Sequence, residues 1–398
     1  MGVKVTVVGQ GYVGLPLAIA AAESGFTVYG LDTAEEKIKK LSSGFSVVED
    51  LSDETVTRNL KSKSYIPTTN INVVKESEIV LICVPTPLTS DRKPDLSALL
   101  AATTTVGKNV KSGTLVVVES TIEPGTCRSV LLPILLKESG IDSNDLYFAY
   151  SPERIDPANK EWGIKNTPKI VAGLTPTSLA KAKEFYEKFV DTLIECLSLE
   201  VAETAKLLEN SFRFVNISFV NELYIFCEKL GISTHEVINA AATKPYGFMP
   251  FYPSIGVGGH CIPVDPIYLA NKAAAIGTRS RFIELADKVN QEMPGYFVGR
   301  AEEKLNGLKG KSVLVVGVAY KPNVTDVRET PAEALIEELK KKGAVVSWHD
   351  DLVKEWNGEK SVPLSDDFDL AIIVTTHNFL NLSSLGNIPI LDTKGSSQ

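Results

Sequence analysis

The sequence has no run of 18 or more uncharged apolar residues, so no segment is predicted to span a membrane. Its first residues lead directly into a strand pattern, and no signal peptide is expected. Runs of basic residues are missing as well: 41 Lys and Arg stand against 49 Asp and Glu, which gives a net charge of −8. This balance argues against nucleic acid as a partner.

Cysteine and histidine are few and widely spaced. The five cysteines form no CxxC pair and the four histidines are scattered, so neither a metal site nor a disulfide framework is expected. An odd number of thiols fits the reducing cytoplasm, which is the predicted location. Four cysteines lie in apolar strand or helix patterns and are interpreted as small buried hydrophobes: Cys83, Cys127, Cys196 and Cys227.

Both ends of the chain alternate strand and helix patterns. Apolar strand patterns at 3–9, 26–32, 79–85, 114–120 and 146–153 alternate with helical stretches, and this predicts an open parallel sheet with helices on both faces. A second doubly wound unit is predicted from strand patterns at 311–320, 344–350, 369–377 and 389–395, with a helix at 331–342. The fold class is therefore α/β, with two Rossmann-like domains.

The middle of the chain is helical. Residues 199–230 contain no proline and no glycine, which predicts one helix of roughly 45 Å. Further helical sequence runs through 235–242 and 265–307. Three domains are predicted: 1–198, 199–307 and 308–398.

A glycine-rich loop follows the first predicted strand. Gly9, Gly11 and Gly14 have the G-x-G-x-x-G spacing between a strand and a helix, and Asp32 ends the next strand. Gly9 permits a tight turn, Gly11 lets a pyrophosphate approach, and Gly14 permits close packing of helix on strand. Asp32 binds ribose hydroxyls and repels a 2′-phosphate, which favours NAD over NADP. The alternative interpretation is a purely structural turn.

Two more loops follow predicted strands at the edge where open sheets bind ligands. Thr86 lies in "VPTP", and Ser120 and Thr121 lie in "ESTIEPGT". These hydroxyls are candidates to line the cofactor, and turns defined by proline are the equally weighted alternative.

The fifth cysteine has a different context. Cys261 lies in "GVGGHCIPVD" (256–265), a loop whose glycines leave the backbone accessible to a ligand. A thiol here is a candidate nucleophile, with His260 and nearby cations favouring the thiolate. A merely structural glycine loop remains the alternative.

Four polar residues share one stripe of the long predicted helix: Lys206, Asn210, Arg213 and Asn221. Periodicity alone favours a solvent-facing stripe, and a ligand-facing wall is the alternative. Combined with NAD, a thiol, a lysine and an amide suggest a two-step oxidation. An alcohol becomes an aldehyde, the thiolate captures it, and a second oxidation gives a thioester that water releases as an acid.

The motifs "GQGYVGLPLA", "STIEPGT", "SPERIDP", "AKLLENSFR", "GVGGHCIPVDP" and "GVAYKPNVTDVRETPA" together resemble the UDP-glucose/GDP-mannose dehydrogenase family over nearly the whole chain. The cysteine loop and "AYKPNVTDVRE" are its most specific parts. The resemblance implies oxidation of the C6 alcohol of a sugar nucleotide to a carboxylate with two NAD. It also implies UDP binding at the C-terminal α/β domain and a homodimer formed through the long helix.

The resemblance implies a role for each matching residue. Cys261 is the nucleophile, Lys206 and Asn210 stabilise the oxyanion, Asp265 activates water with Thr121, and Glu153 is the acid/base. Cofactor contacts are assigned to Gly9, Gly11, Tyr12, Val13, Gly14, Asp32, Pro85, Thr86, Ser120, Thr121 and Arg328. Substrate contacts are assigned to Glu153, Arg154, Lys206, Asn210, Lys244, Phe251, Tyr252, Gly258 and Lys321.

The cysteine loop also bears on the sugar. UDP-glucose members have a lysine where this chain has Val264, so the loop looks more like that of the UDP-N-acetylhexosamine members. UDP-N-acetylglucosamine is the preferred prediction, ahead of UDP-N-acetylmannosamine, UDP-N-acetylgalactosamine and UDP-glucose. Two rivals stay open: a two-electron dehydrogenase of 3-hydroxy acids, and a non-catalytic protein that binds nucleotide sugars.

Overall fold

A computed structural model describes residues 2–49, 51–156, 159 and 161–395. Pro157 of the "SPERIDP" motif lies outside these residues. The chain divides into two compact units, Met1–Leu208 and Glu209–Gln398, each of which is described by itself. The predicted three-domain boundaries remain a prediction.

The first unit is built on an eight-stranded sheet with the order β3-β2-β1-β4-β5-β6-β7-β8. Its strands are β1 Lys4–Val8, β2 Thr27–Leu31, β3 Tyr65–Thr68, β4 Ile79–Ile82, β5 Leu115–Val118, β6 Tyr147–Tyr150, β7 Lys169–Gly173 and β8 Leu193–Glu195. Its helices are α1 Gly14–Glu23, α2 Glu35–Ser42, α3 Asp53–Lys61, α4 Val73–Glu76, α5 Ser97–Asn109, α6 Leu132–Ser139 and α7 Pro176–Tyr186. The strand order reverses direction between β1 and β4, which is where such sheets bind ligands.

Both faces of this sheet are buried. On β5, Leu115 and Val117 belong to one apolar cluster while Val116 and Val118 belong to another, because successive side chains of a strand point to opposite faces. Continuous apolar runs therefore mark the central strands, as expected for a sheet covered by helices on both sides.

The sheet extends beyond its predicted strands. β3, β7 and β8 were not among them, and β7 pairs antiparallel with β6, so the sheet is not wholly parallel. β3 contains a proline, and β8 has only three residues, of which two are exposed. Such short edge strands lack the long apolar run that identified the centre of the sheet.

The long helix is confirmed as α8, Leu199–Leu230, with 32 residues. It begins in the first unit and ends in the second. The helical sequence that follows is divided into α9 Thr234–Ala242, α10 Asp265–Ala275 and α11 Arg281–Leu305. Helix was predicted throughout 265–307, but the chain leaves the helix between α10 and α11, where Gly277 has a φ of 80°.

The second α/β sheet has four parallel strands in the order β10-β9-β13-β14. Its elements are β9 Ser312–Val316, α12 Pro331–Lys341, β10 Val345–His349, the hairpin strands β11 Glu355–Trp356 and β12 Glu359–Lys360, β13 Leu370–Ile373 and β14 Ile390–Asp392. Along β9, Val313 and Val315 face one core, whereas Leu314 and Val316 face another. Two doubly wound α/β parts joined by a helical region are thus confirmed.

Among the described residues, every helix is too short or too polar to cross a bilayer.

Candidate functional site

The glycine loop between β1 and α1 has three different steric environments. Gly9 has a φ of 93°, and a Cβ there would lie 2.6 Å from the carbonyl oxygen of Cys83. A Cβ on Gly14 would collide with the backbone of Gly9. Within the described part of the chain, no heavy atom lies within 4 Å of the position that a Cβ on Gly11 would take. The backbone at Gly11 is therefore open, as close approach of a pyrophosphate requires. Beside it, Tyr12 is partly exposed and Val13 packs against the core.

Asp32 follows β2 and is buried by this loop. Its Oδ2 accepts hydrogen bonds from the Gln10 N–H at 2.8 Å and from Lys37 Nζ at 2.7 Å, and its Oδ1 accepts one from the Ala34 N–H at 3.0 Å. Burial acts to raise the pKa of Asp32, but these hydrogen bonds outweigh it and hold that pKa below its usual value. A charged carboxylate beside an open glycine loop suits the ribose and pyrophosphate of NAD.

The loops after β4 and β5 meet each other. The buried Ser120 donates from Oγ to the carbonyl oxygen of Val84 at 2.6 Å, which joins the loop of Pro85 and Thr86 to that of Thr121. Thr86 is buried, Thr121 is half-buried and Pro85 is exposed. The predicted hydroxyls thus lie on joined loops at the carboxyl edge of the sheet.

The glycines of the cysteine loop are required by protein packing. A Cβ on Gly258 would lie 2.7 Å from the carbonyl oxygen of Glu329, and one on Gly259 would lie 2.7 Å from the Tyr320 ring. The Gly259 N–H donates to the carbonyl oxygen of Arg328 at 3.0 Å. The expectation that these glycines admit a ligand needs correction at both positions, because segment 320–331 of the chain makes the close approach.

Cys261 is the exposed thiol at the end of this loop. Its carbonyl oxygen accepts the N–H of Asp265 at 2.9 Å, which starts the first turn of α10. The side chain of Asp265 is buried and accepts a hydrogen bond from Asn210 Nδ2 on α8 at 2.6 Å. Three of the predicted catalytic residues are therefore connected within the second unit.

His260 does not supply the expected positive charge. Burial, reinforced by Arg328, lowers the pKa of its imidazole below the ordinary value. The ring is consequently neutral at pH 7, and a cationic His260 is not what favours a thiolate.

The polar stripe of α8 is largely buried. Lys206, Asn210 and Asn221 have 8% or less of their surface exposed, while Arg213 is exposed. The solvent-facing interpretation drawn from periodicity is therefore wrong for three of the four residues. The exposed face of this helix is apolar instead, and it includes Leu208, Phe212, Phe219 and Phe226.

One buried carboxylate on the same helix was missed. Glu203 accepts hydrogen bonds from the N–H groups of Gly125 and Cys127, the latter at 2.9 Å, and so anchors the loop that carries Thr121 to α8. Burial raises its pKa. A glutamate three residues before Lys206, on the same side of the helix, was the available sequence signal.

Glu153 lies in the loop after β6, and both of its carboxylate oxygens are engaged. Oε1 accepts the N–H groups of Arg154 at 2.6 Å and Ile155 at 2.8 Å, whereas Oε2 lies 3.8 Å from Lys169 Nζ. Arg154 itself donates from Nη1 to the carbonyl oxygen of Pro168 at 2.6 Å. Lys169 was also missed, although a lysine that opens an otherwise apolar strand was visible in the sequence.

The remaining predicted contacts lie in the second unit. Arg328 is exposed and paired with Asp326, and Lys321 Nζ lies 5.7 Å from the Tyr320 ring centroid. Lys244 and Tyr252 are exposed, and Tyr252 stacks on His235 with 5.0 Å between ring centroids. Phe251 is half-buried and packs edge-on against Phe212 of α8 at 5.8 Å.

Comparison with protein families gives three matches, which cover most of the chain in order. The domains are described as the NAD binding domain, the central domain and the UDP binding domain of the UDP-glucose/GDP-mannose dehydrogenase family, and they match residues 3–190, 200–292 and 314–394.

Individual relatives agree with these matches. The chain is 36% identical over 389 residues to a UDP-N-acetyl-D-glucosamine 6-dehydrogenase of Salmonella typhi, covering 94% of this chain and 90% of that protein. It is 34% identical over 395 residues to a UDP-N-acetyl-D-mannosamine dehydrogenase of Pyrococcus horikoshii, covering 96% and 92%. A solved structure of the UDP-D-ManNAc dehydrogenase from Pyrococcus horikoshii superposes with a TM-score of 0.91 at 31% identity, covering 99% of this chain and 96% of that one.

Proposed function

We propose a function for this chain from the fact that it belongs to the UDP-glucose/GDP-mannose dehydrogenase family. It is an NAD-dependent UDP-sugar 6-dehydrogenase, with the NAD-binding and UDP-binding domains of that family. The substrate, the residue roles and the oligomeric state are the finer proposals.

The proposed substrate is a UDP-N-acetylhexosamine, with UDP-N-acetylglucosamine preferred. Val264, where UDP-glucose members carry lysine, supports the acetylated class. Relatives from Salmonella typhi and Pseudomonas aeruginosa are named for the glucosamine epimer, while a relative from Pyrococcus horikoshii is named for the mannosamine epimer. UDP-N-acetylmannosamine is therefore the alternative.

The proposed chemistry centres on Cys261. Its thiolate attacks the C6 aldehyde, a C–S bond forms, and the carbonyl becomes an oxyanion that Lys206 and Asn210 stabilise. Oxidation of this adduct gives a thioester. Water then attacks, the C–S bond breaks, and the thiol leaves as the acid forms. NAD, when bound, accepts the two electrons of each oxidation.

A single observation supports this assignment most strongly: the 2.6 Å hydrogen bond between Asn210 and the buried Asp265, beside the exposed Cys261. Nucleophile, water-activating carboxylate and oxyanion donor thus come from two elements that hold each other in place. Thr121 with Asp265 is proposed to orient the water, and Glu153 to act as acid/base. The cofactor and substrate contacts assigned from the sequence remain proposals.

The experiment is an assay of UDP-N-acetylglucosamine, UDP-N-acetylmannosamine, UDP-N-acetylgalactosamine and UDP-glucose, with NADH counted and products identified. We expect two NADH per sugar and the highest kcat/KM with UDP-N-acetylglucosamine. One NADH per substrate would favour the 3-hydroxy-acid type of dehydrogenase. Cys261→Ala should lower acid formation by about a thousandfold or more, whereas the matched Cys196→Ala should stay near wild type.

A homodimer in the cytoplasm is also proposed. Phe212, Phe219 and Phe226 are spaced by seven residues, lie on one face of α8, and are each 47–63% exposed. An apolar face of this kind marks an interaction surface. The cytoplasm is proposed from the odd number and wide spacing of the cysteines.

A further inference from the structure

A buried cluster of charged groups lies behind the Glu153 loop in the first unit. Lys169 Nζ lies 2.7 Å from Glu119 Oε2 and 3.8 Å from Glu153 Oε2. Tyr186 of α7 donates its hydroxyl to the other oxygen of Glu119. The side chain of Glu119 is fully buried and that of Lys169 is 7% exposed. Two carboxylates therefore share one ammonium away from solvent.

The three protons of the ammonium have three acceptors. Besides Glu119, the carbonyl oxygens of Ser151 and Pro152 each lie 3.3 Å from Lys169 Nζ. Both carbonyls belong to the two residues that precede Glu153. Lys169 consequently joins the end of β5 to the backbone that carries Glu153, in addition to facing its carboxylate.

Charge in this cluster is finely balanced. Burial raises the pKa of Glu119 to about 7, with Glu153 adding to the effect and Lys169 opposing it. Burial opposes the charge on Lys169, but Glu119 and Glu153 outweigh it and raise the pKa of the ammonium. Burial raises the pKa values of Tyr186 and of the nearby Cys83, so both stay neutral. The charged groups that face Lys169 are thus the two glutamates alone.

Stability does not account for such an arrangement. Replacing a buried ion pair by apolar groups is often neutral or stabilising, because the desolvation cost rivals the attraction. The sheet could hold an apolar residue at the start of β7, as it does at Ile170 and Val171, which are both buried.

We propose that Lys169, held by Glu119 and Tyr186, is a positioning residue that fixes the Glu153 loop and keeps the Glu153 side chain in its carboxylate form for the reaction. This inference rests on the acid/base role proposed for Glu153. Glu119 competes for the same ammonium. The two residues should therefore shift the pH dependence of turnover in opposite directions.

The test compares pH profiles of kcat in wild type, Glu119→Gln and the double variant Glu119→Gln with Lys169→Met. The double variant removes both partners of the buried pair, so it leaves no lone buried charge at these two positions. In Glu119→Gln the ammonium serves Glu153 alone, and the acid limb of the profile should move to lower pH. In the double variant it should move up by about 1–3 pH units, the range for loss of an opposite charge at this distance.

Further measurements separate positioning from folding. The KM values for NAD and the UDP-sugar should change little in the double variant, while kcat at pH 7 falls by about tenfold or more. A folded double variant with the wild-type acid limb would overturn the inference. If that variant does not fold, an unshifted limb in Glu119→Gln decides against it. A wild type that forms no NADH with any UDP-sugar overturns the proposed function, and the inference with it, whereas an active wild type with unshifted variants overturns the inference alone.

Discussion

Asp32 uses one carboxylate both to organise its own loop and to face the ribose that we propose for NAD. The N–H groups of Gln10 and Ala34 and the ammonium of Lys37 all donate to it. A cation within 2.7 Å reduces the repulsion that a lone aspartate would exert on a 2′-phosphate. Discrimination against NADP therefore depends on the carboxylate remaining charged beside this lysine.

Asp32→Ala should lower the ratio of kcat/KM for NAD to that for NADP by about tenfold or more, because a hydrogen bond to a charged group contributes about 1.5–3 kcal/mol. Lys37 remains in the variant and attracts the 2′-phosphate. The ratio is the informative quantity, since the variant also loses two loop contacts and stability with them. Asp367→Ala, an exposed aspartate of the second unit, is the control. An unchanged ratio in Asp32→Ala would mean that this residue does not read the ribose.

Elements differed in how well the sequence predicted them. α8 was predicted with its observed ends because 32 residues without proline or glycine permit little else. The central strands were predicted because burial on both faces requires apolar runs. The edge strand β3 was missed because its composition resembles that of a loop. Lys206 and Asn210 were assigned to solvent by periodicity alone, since an amphipathic pattern does not reveal which face the fold covers.

Within the second α/β part, Asp350 after β10 joins several elements. Its Oδ2 accepts the N–H groups of Val318 and Ala319 after β9, and its Oδ1 accepts those of Leu352 and Val353 as well as His377 Nε2 at 2.9 Å. Burial acts to raise the pKa of Asp350, but His377 and the backbone donors outweigh it and lower that pKa well below its ordinary value. The loop that carries Lys321 is therefore held through this carboxylate.

Asp350→Asn should destabilise the protein by about 2–4 kcal/mol, because an amide NH₂ would face backbone donors. A depressed pKa gives stability that is complete above the ordinary value of 3.8 and lost as pH falls below it. The gap between wild type and variant in thermal unfolding should therefore be wide at pH 7 and narrow below about pH 4. Asp351→Asn, at the half-buried neighbour, should cost less than about 1 kcal/mol. A gap that does not change with pH would show that the charge of Asp350 is not the source of the stability.

At the scale of the whole molecule, the exposed phenylalanines of α8 are the feature that an isolated chain leaves unexplained. A residue such as Phe219, 63% exposed, gains about 1.5–3 kcal/mol when it is fully buried. A repeated set on one helix face provides a continuous surface, and the same surface on a second copy can cover it by twofold symmetry. Lys206 and Asn210 lie on the same helix. Loss of the dimer would therefore free the element that carries the proposed oxyanion donors.

Phe219→Glu combined with Phe226→Glu should convert a dimer of twice 43.1 kDa into a species of 43.1 kDa in light scattering or sedimentation. Two buried like charges on each copy face their counterparts, and such juxtaposition costs several kcal/mol. Val345→Glu is the matched control, because Val345 is also 63% exposed but lies on β10. Its mass should stay that of the wild type. If the double variant keeps the dimeric mass, the contact between copies lies elsewhere. If the wild type itself is monomeric, the apolar face of α8 must serve a different partner.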